Sequence, residues 1–431
     1  MEISKAKSGR EKGSMEQIFI TSFTIEKVRH LKDISVPLSE KQLRHLILTG
    51  KNGSGKTSLV EALAGYLENV FSDKYFEQLA DWMDRDKREW EIAIQNGKEE
   101  GELFSIKQKV LKSELDLQQS RKGLEVHFNQ KRRNILGLKE KYHYILAYYK
   151  ADRIFQAIQP KHVEKVDLKD NYGIAEFPRN DFVKYLLDLK TVEAFARLKK
   201  VEKANQIESW FEALEQLLKR IFDDQTVALE FDEDTFEFHI LQEGKEPFDF
   251  NTLSSGYQAV LDIVLDVMMR MVKQTGRSFD FALPGIVLID EIETHLHLEL
   301  QKNIMPLLTT IFPNIQFIVT SHSPFILNSL KNVVIYDLEN DVLVKDGLEN
   351  VPYDGIVEGY FGADRLSDAL KEKFEQYRNL VKKENLSLDD MEELAELELY
   401  LDEIPNYLAL GITTEYQRLK LDFLNREDID G

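Results

Sequence analysis

No cysteine occurs anywhere in the 431 residues. That absence excludes disulfides, thiolate zinc sites and thiol nucleophiles, and it suits a cytoplasmic protein, the expected localisation. Long apolar runs are missing as well. No stretch nears the roughly 18 residues that cross a bilayer, and no secretory signal is read, so no membrane role is expected. Positive charge is scarce: 56 Lys and Arg face 76 Asp and Glu, a formal net charge of −20. Wholesale coating of DNA is thereby excluded, because neutralising phosphates takes Lys and Arg, although a local basic surface stays compatible. Internal repeats, low-complexity segments and sustained heptads are absent too.

What remains is an ordinary globular composition, 43% hydrophobic and 31% charged, long enough for one large or two medium domains. Residues 1–14 are polar and aperiodic, a disordered lead-in before Met15. Residues 15–70 read as strand, glycine loop and helix: Ile18 to Ile25, Arg44 to Thr49, then Thr57 to Val70. Residues 71–180 turn to charged helical text, with Asp81 to Gln95 and Glu102 to Gly123 as helices and Tyr142 to Tyr149 as an aromatic strand. Residues 181–345 return to a core. There Asp181 to Phe222 reads as helix, Thr226 to Gln242 as a hairpin, and Val260 to Val272 as a helix apolar nearly all round. Gly285 to Ile289, Ile315 to Thr320 and Val333 to Leu338 read as strands of a parallel sheet covered on both faces. Residues 346–431 are acidic and helical.

Chemistry concentrates at four places. Gly50-Lys51-Asn52-Gly53-Ser54-Gly55-Lys56-Thr57, followed by Ser58, matches the phosphate-loop pattern at every required position. Its glycines let backbone amides curl around phosphates, Lys56 neutralises charge, and the Thr57 hydroxyl is a Mg2+ ligand. Ile286-Val287-Leu288-Ile289-Asp290-Glu291 buries a strand and delivers two carboxylates at its tip. Asp290 is expected to hold Mg2+, and Glu291 to orient or deprotonate water. His322, in Thr320-Ser321-His322-Ser323-Pro324, follows a strand at the end where open α/β sheets bind ligands. Leu253-Ser254-Ser255-Gly256 opens the apolar helix as a second anion-binding turn. Glu293, His295 and His297 form Glu-x-His-x-His, but the two histidines lack the i, i+4 spacing of ligands on one helix face, so a subunit-contact loop is the preferred reading over zinc.

In this order, these elements resemble the ABC-type ATPase superfamily, in its soluble branch of chromosome-maintenance, recombination-repair and phage-defence ATPases. Asp290 to His297 resembles the Asp-Glu-Pro-Glu-x-His-Leu-His run of the overcoming-lysogenisation-defect type. Three departures stand out: Ser255 replaces a glycine, Tyr257 a small or polar residue, and Ile292 a proline. No clear glutamine loop is seen; Gln156 and Gln159 are the candidates. The resemblance implies an α/β P-loop ATPase head with a mixed or parallel sheet, a helical insertion and a helical C-terminal appendage. It also implies ATP and Mg2+, and a head-to-tail dimer in which Lys56, Thr57, Asp290, Glu291 and His322 of one chain meet Ser254, Ser255 and Gly256 of the other.

A transporter ATPase fits poorly, because the stretch from Ser254 to Asp290 is long and the insertion is charged. Arg121, Lys122, Lys131, Arg132, Arg133, Lys139 and Lys141, with Phe128, Tyr142 and Tyr144 between them, read either as a solvated helix face or as a DNA-contacting patch within 121–141. Beyond Leu338 no strands of a fused nuclease are seen. Glu392, Glu393, Glu396 and Glu398 read as a solvated or partner-facing face, and Met391, Leu394, Leu397 and Tyr400 as a docking stripe. The architecture resembles the ATPase subunits of two-gene anti-phage systems of the Septu type, which work with a separate nuclease. A repair ATPase and a slowly hydrolysing ATP-sensing scaffold stay open.

Overall fold

The computed structural model describes residues 17–72, 74–130, 144–153, 157–160, 162–276, 278–356, 368–383, 385–402 and 410–424. The expected lead-in 1–14, the basic residues 131–141, Tyr142 and Gln156 lie outside the described residues. The chain divides into two compact units, one ending at Glu349 and one beginning at Asn350.

Four apolar runs build the middle of the first unit. β3 (His45–Thr49), β8 (Gly285–Ile289), β9 (Ile315–Thr320) and β10 (Val333–Asp337) are buried at every position, as strands covered on both faces must be. With β5 (Ile145–Tyr149) and β11 (Val342–Val344) they form a six-stranded sheet in the order β11-β10-β3-β9-β8-β5. The strands from β10 to β5 run parallel, and β11 closes one edge antiparallel. Parallel pairing puts the C-terminal ends of β3, β5, β8 and β9 on one edge, where loops carry ligand chemistry. A second, antiparallel sheet has the order β2-β1-β4, from β1 (Ile20–Val28), β2 (Leu31–Pro37) and β4 (Leu124–Phe128). Its inner face shares a core with α1 (Lys56–Ser72) and the main sheet, through Phe23, Ile25, Leu63, Leu67 and Leu288.

The segment expected as an insertion is divided between two structures. Among the described residues, only α2 (Lys74–Gln95) and α3 (Glu100–Arg121), which pair with each other, form a helical excursion. β4 and β5 return to the sheets, one beside β1 and the other at the edge beside β8. Tyr144 is accordingly no base-stacking platform: it is buried, stacks on Phe71 at 4.9 Å, and donates to the Ile18 carbonyl at 3.3 Å.

The helix expected over Asp181 to Phe222 is two helices. α4 (Phe182–Lys199) and α5 (Val201–Phe222) break at Lys200, whose φ of −144° and ψ of 66° are not helical. Tyr185 and Trp210 meet edge to face at 5.6 Å between them, so tertiary packing overrides a helix-permissive Lys-Lys-Val sequence. The hairpin β6 (Ala228–Phe231) and β7 (Phe238–Leu241) follows, then α6 (Ser255–Val272) and, after β8, α7 (Leu298–Ile311).

The second unit contains α8 (Asp368–Val381), α9 (Leu388–Asp402) and α10 (Leu410–Leu424). Phe374, Tyr377, Leu394, Leu397, Leu401 and Tyr416 make its own core. The expected docking stripe is therefore divided: Leu394 and Leu397 face inward, while Met391 and Tyr400 stay exposed. Glu398 accepts from Tyr377 and pairs with Lys420 at 3.4 Å, so it too serves the unit's interior.

Candidate functional site

The loop between β3 and α1 is shaped by three glycines with φ of 129° (Gly50), 86° (Gly53) and 99° (Gly55). Side-chain-bearing residues rarely hold such angles. Space is short as well: a Cβ on Gly50 would lie 2.9 Å from Ser54 Oγ, and one on Gly55 would lie 2.9 Å from Leu31. Lys51 ties the loop to the β10–β11 turn, its amide and ammonium both meeting Glu339, at 3.1 and 2.8 Å.

Lys56 folds back over the loop, and its Nζ donates to the carbonyls of Gly50 at 2.6 Å and Lys51 at 3.0 Å. Burial pulls its ammonium below the usual lysine value, while Glu291, Glu293, Asp290 and Asp337 pull the other way. An ammonium has three donors, so one is left for an anion. Asn52, Gly53, Gly55, Lys56, Thr57 and Ser58 line a cleft of about 310 Å³ with Glu291 opposite. Arg29 and His30 complete its wall, and neither was singled out by sequence reading. Ser54 Oγ is buried without a hydrogen-bond partner, and Thr57 is exposed. An orphaned hydroxyl, a spare ammonium donor and a glycine-shaped cradle suit a polyphosphate, so the residues fit ATP with Mg2+.

Asp290, 3% exposed, sits at the end of β8 and accepts from Thr320 Oγ1 at 2.6 Å. The same hydroxyl accepts from the Glu291 amide at 2.7 Å. Glu291 has φ of 45°, an angle rare for a residue with a side chain. Glu293 reaches across to the end of β9, where its Oε1 accepts from the His322 amide at 2.8 Å and lies 3.6 Å from His322 Nε2. Its other oxygen is buried and unpartnered. Thr320 and Glu293 thus serve the site beside the carboxylates expected there. Their signal was register, since β8 and β9 pair Leu288 with Ile318 and bring both tips together.

Ser254, Ser255 and Gly256 form the N-terminus of α6 and do not line the phosphate-loop cleft. Ser254 and Ser255 are exposed, and Ser254 makes no side-chain cap. Gly256 is buried against the loop after β8: a Cβ there would lie 3.0 Å from Leu300 and 3.2 Å from the His295 carbonyl. His297 caps α7, accepting from the Leu300 amide, and its ring meets Tyr257 edge to face at 6.3 Å. Among the described residues, no group of three His, Cys, Asp or Glu is arranged to hold a metal. Gln159 donates to Asp249 at 3.2 Å. Arg121 sits 4.0 Å from both Glu26 and Glu125, so acids flank the start of the basic stretch.

Residues 46–328 match a family model described as "AAA domain, putative AbiEii toxin, Type IV TA system". The Septu protein PtuA of Bacillus mycoides (strain KBAB4) is 32% identical over 174 residues, covering 38% of this chain and 24% of that protein. The Retron Ec83 probable ATPase of Escherichia coli is 33% identical over 147 residues, covering 33% of this chain and 27% of that protein. The chain thus spans about a quarter of the length of these curated relatives. Among solved structures, the SMC head domain from Thermotoga maritima aligns with 12% identity and a TM-score of 0.34, over 74% of this chain and 94% of that one.

Proposed function

The chain belongs to the AAA-domain family of the AbiEii-toxin type, and from that premise we propose that it is a Mg2+-dependent ATPase of anti-phage defence, whose nucleotide sites are shared between two copies and which controls a separate nuclease. The observation that carries this reading is the meeting of Lys56, Thr57 and Glu291 on one cleft, with Ser254 and Ser255 exposed outside it. Lys56 and the loop amides bind the β- and γ-phosphates. Thr57 and Asp290 hold Mg2+, which neutralises phosphate charge when bound. Glu291 orients the attacking water and takes its proton, and His322, steadied by Glu293, donates to the γ-phosphate. Ser254, Ser255 and the Gly256 amide of a second chain face that phosphate, so loss of the γ-phosphate on hydrolysis loosens the pair. The defence role is supported by the Septu-type and retron relatives.

The test is Glu291→Gln. Removing a general base costs about a hundredfold or more in turnover while leaving the phosphate cradle intact. The variant is expected to bind ATP, to hydrolyse it at least about a hundredfold more slowly, and to accumulate as oligomers in light scattering. Wild-type turnover in Glu291→Gln would overturn the base assignment. Co-expression with the neighbouring reading frame tests the partner: a co-purifying nuclease supports control of a nuclease, and a membrane permease at that position sinks it.

A further inference from the structure

One guanidinium holds a run of peptide carbonyls next to the proposed base. Arg153 follows β5 at the sheet edge and is 6% exposed. It donates from Nη1 to the Asp290 carbonyl at 3.0 Å, and from Nη2 to the carbonyls of Glu291 at 3.2 Å and Ile292 at 2.9 Å. A fourth bond, to the Lys150 carbonyl at 3.2 Å, anchors it to its own turn. The segment it grips is the one in which Glu291 has φ of 45°. Such a backbone persists only where the surroundings over-determine it.

Both sides of that segment are held. From β9, Thr320 takes the Glu291 amide at 2.7 Å through its hydroxyl and the Ile292 amide at 3.1 Å through its carbonyl. Thr320 therefore fixes the N–H groups, and Arg153 fixes the C=O groups. A planar fork of donors can serve several carbonyls at set angles, which a lysine ammonium cannot. Burial works against the charge of Arg153, and the carboxylates of Asp262, Glu293, Asp290 and Glu291 offset it. The residue does not line the phosphate-loop cleft; it borders a separate cavity of about 710 Å³ with Lys150, Asp152 and Phe177.

We infer that Arg153 is a positioning residue: by holding the left-handed backbone at Glu291 it keeps that carboxylate aimed into the phosphate-loop cleft, and so sets the rate of hydrolysis without touching the nucleotide. The inference rests on the ATPase reading for its kinetic consequence, whereas the backbone it describes can be read without turnover. Arg153→Lys keeps the charge and loses the fork. It is expected to bind a fluorescent ATP analogue within about twofold of wild type, with kcat down at least about tenfold and KM little changed. Hydrogen exchange should quicken at the amides of Glu291 and Ile292, and not in α1 or β3. Arg153→Ala is expected to show the same pattern and to regain turnover several-fold when guanidinium is added at millimolar concentration. Turnover within twofold of wild type in Arg153→Lys, with unchanged exchange at Glu291, overturns the inference. So does a loss of binding in step with turnover, or of melting temperature with exchange raised throughout. If the wild type hydrolyses no ATP, the ATPase reading fails, and the exchange rates at Glu291 and Ile292 still decide the role of Arg153.

Discussion

His45, at the start of β3, is an interior histidine whose Nδ1 accepts the Phe317 amide at 3.1 Å. That bond requires the neutral ring, and burial pushes its pKa down to about 4. In the unfolded chain the ring titrates near 6.5. The folded value being the lower, this group's contribution to stability is full above about pH 6.5 and is lost as pH falls toward 4. A gap of that size is worth about 3 kcal/mol. His45→Asn keeps an acceptor that cannot titrate. Urea titrations between pH 7.5 and 4.5 should show wild type losing more stability than the variant on acidification, by up to about 3 kcal/mol, although the variant starts lower. Parallel profiles would show that this ring does not carry the acid sensitivity. At the same scale, Lys56, Thr57, Asp290 and Glu291 were legible because their spacing is fixed by local chain geometry: glycine loop into helix, apolar strand into carboxylates. The bonds made by Thr320, Glu293 and Arg153 were not. Their partners lie on other strands, and Lys-Ala-Asp-Arg by itself reads as a polar turn.

The helix α6 shows how an element can read correctly and still conceal its chemistry. Its burial follows from the run of Val, Leu, Ile and Met, but Asp262, Asp266 and Arg270 are as deeply buried as those residues. Asp266 accepts from Tyr149 at 2.7 Å and from Arg270 Nε at 2.7 Å, and Arg179 lies 3.5 Å away. Arg270 in turn donates to the carbonyls of Leu146 and Gly173, at 2.9 and 3.0 Å, tying the helix to β5 and the chain beyond it. Removing one partner of such a set strands the others in the interior. Asp266→Leu is expected to cost about 3–5 kcal/mol in urea denaturation, because Arg270 and Arg179 lose a buried counter-charge. A loss under about 1 kcal/mol would mean that water reaches the pair and that the network adds little. Besides the short edge strand β11, two strands were not read from the sequence, β2 and β4, and they fail for a related reason. Lys32 and Asp33 in the first, and the short Leu-Glu-Val-His-Phe after a long charged helix in the second, carry little local signal. Both exist because β1 lies between them and offers its two edges.

For the molecule as a whole, the Ser254-Ser255-Gly256 turn poses the decisive question. Ser254 and Ser255 stand exposed at the start of α6, yet Gly256 is pressed against the loop that follows Asp290 and Glu291. The turn is therefore packed against the loop after β8 of its own chain while lying outside its own phosphate-loop cleft. Under the proposed function, that hydroxyl pair completes the nucleotide site of a second copy. In a two-fold pair, each chain then gives Lys56 to one site and Ser254 to the other. Lys56→Ala abolishes the cradle of its own chain, and Ser254→Arg blocks the cradle of the neighbour. Either variant alone is expected to be inactive. Mixed in equal amounts and allowed to exchange, half of the pairs combine both chains, and each such pair has one site with Lys56 and Ser254 both intact. Recovery of about a quarter of wild-type turnover is expected if sites fire independently, and less if hydrolysis needs both. A mixture that exchanges subunits, as seen by energy transfer between labelled chains, and yet stays inactive would sink the shared site unless the two sites must act together. Crosslinked pairs separate those cases: a shared but coupled site traps one ATP per mixed pair and none in a pair of two Ser254→Arg chains, whereas an unshared site traps the same amount per Ser254→Arg chain in either pair.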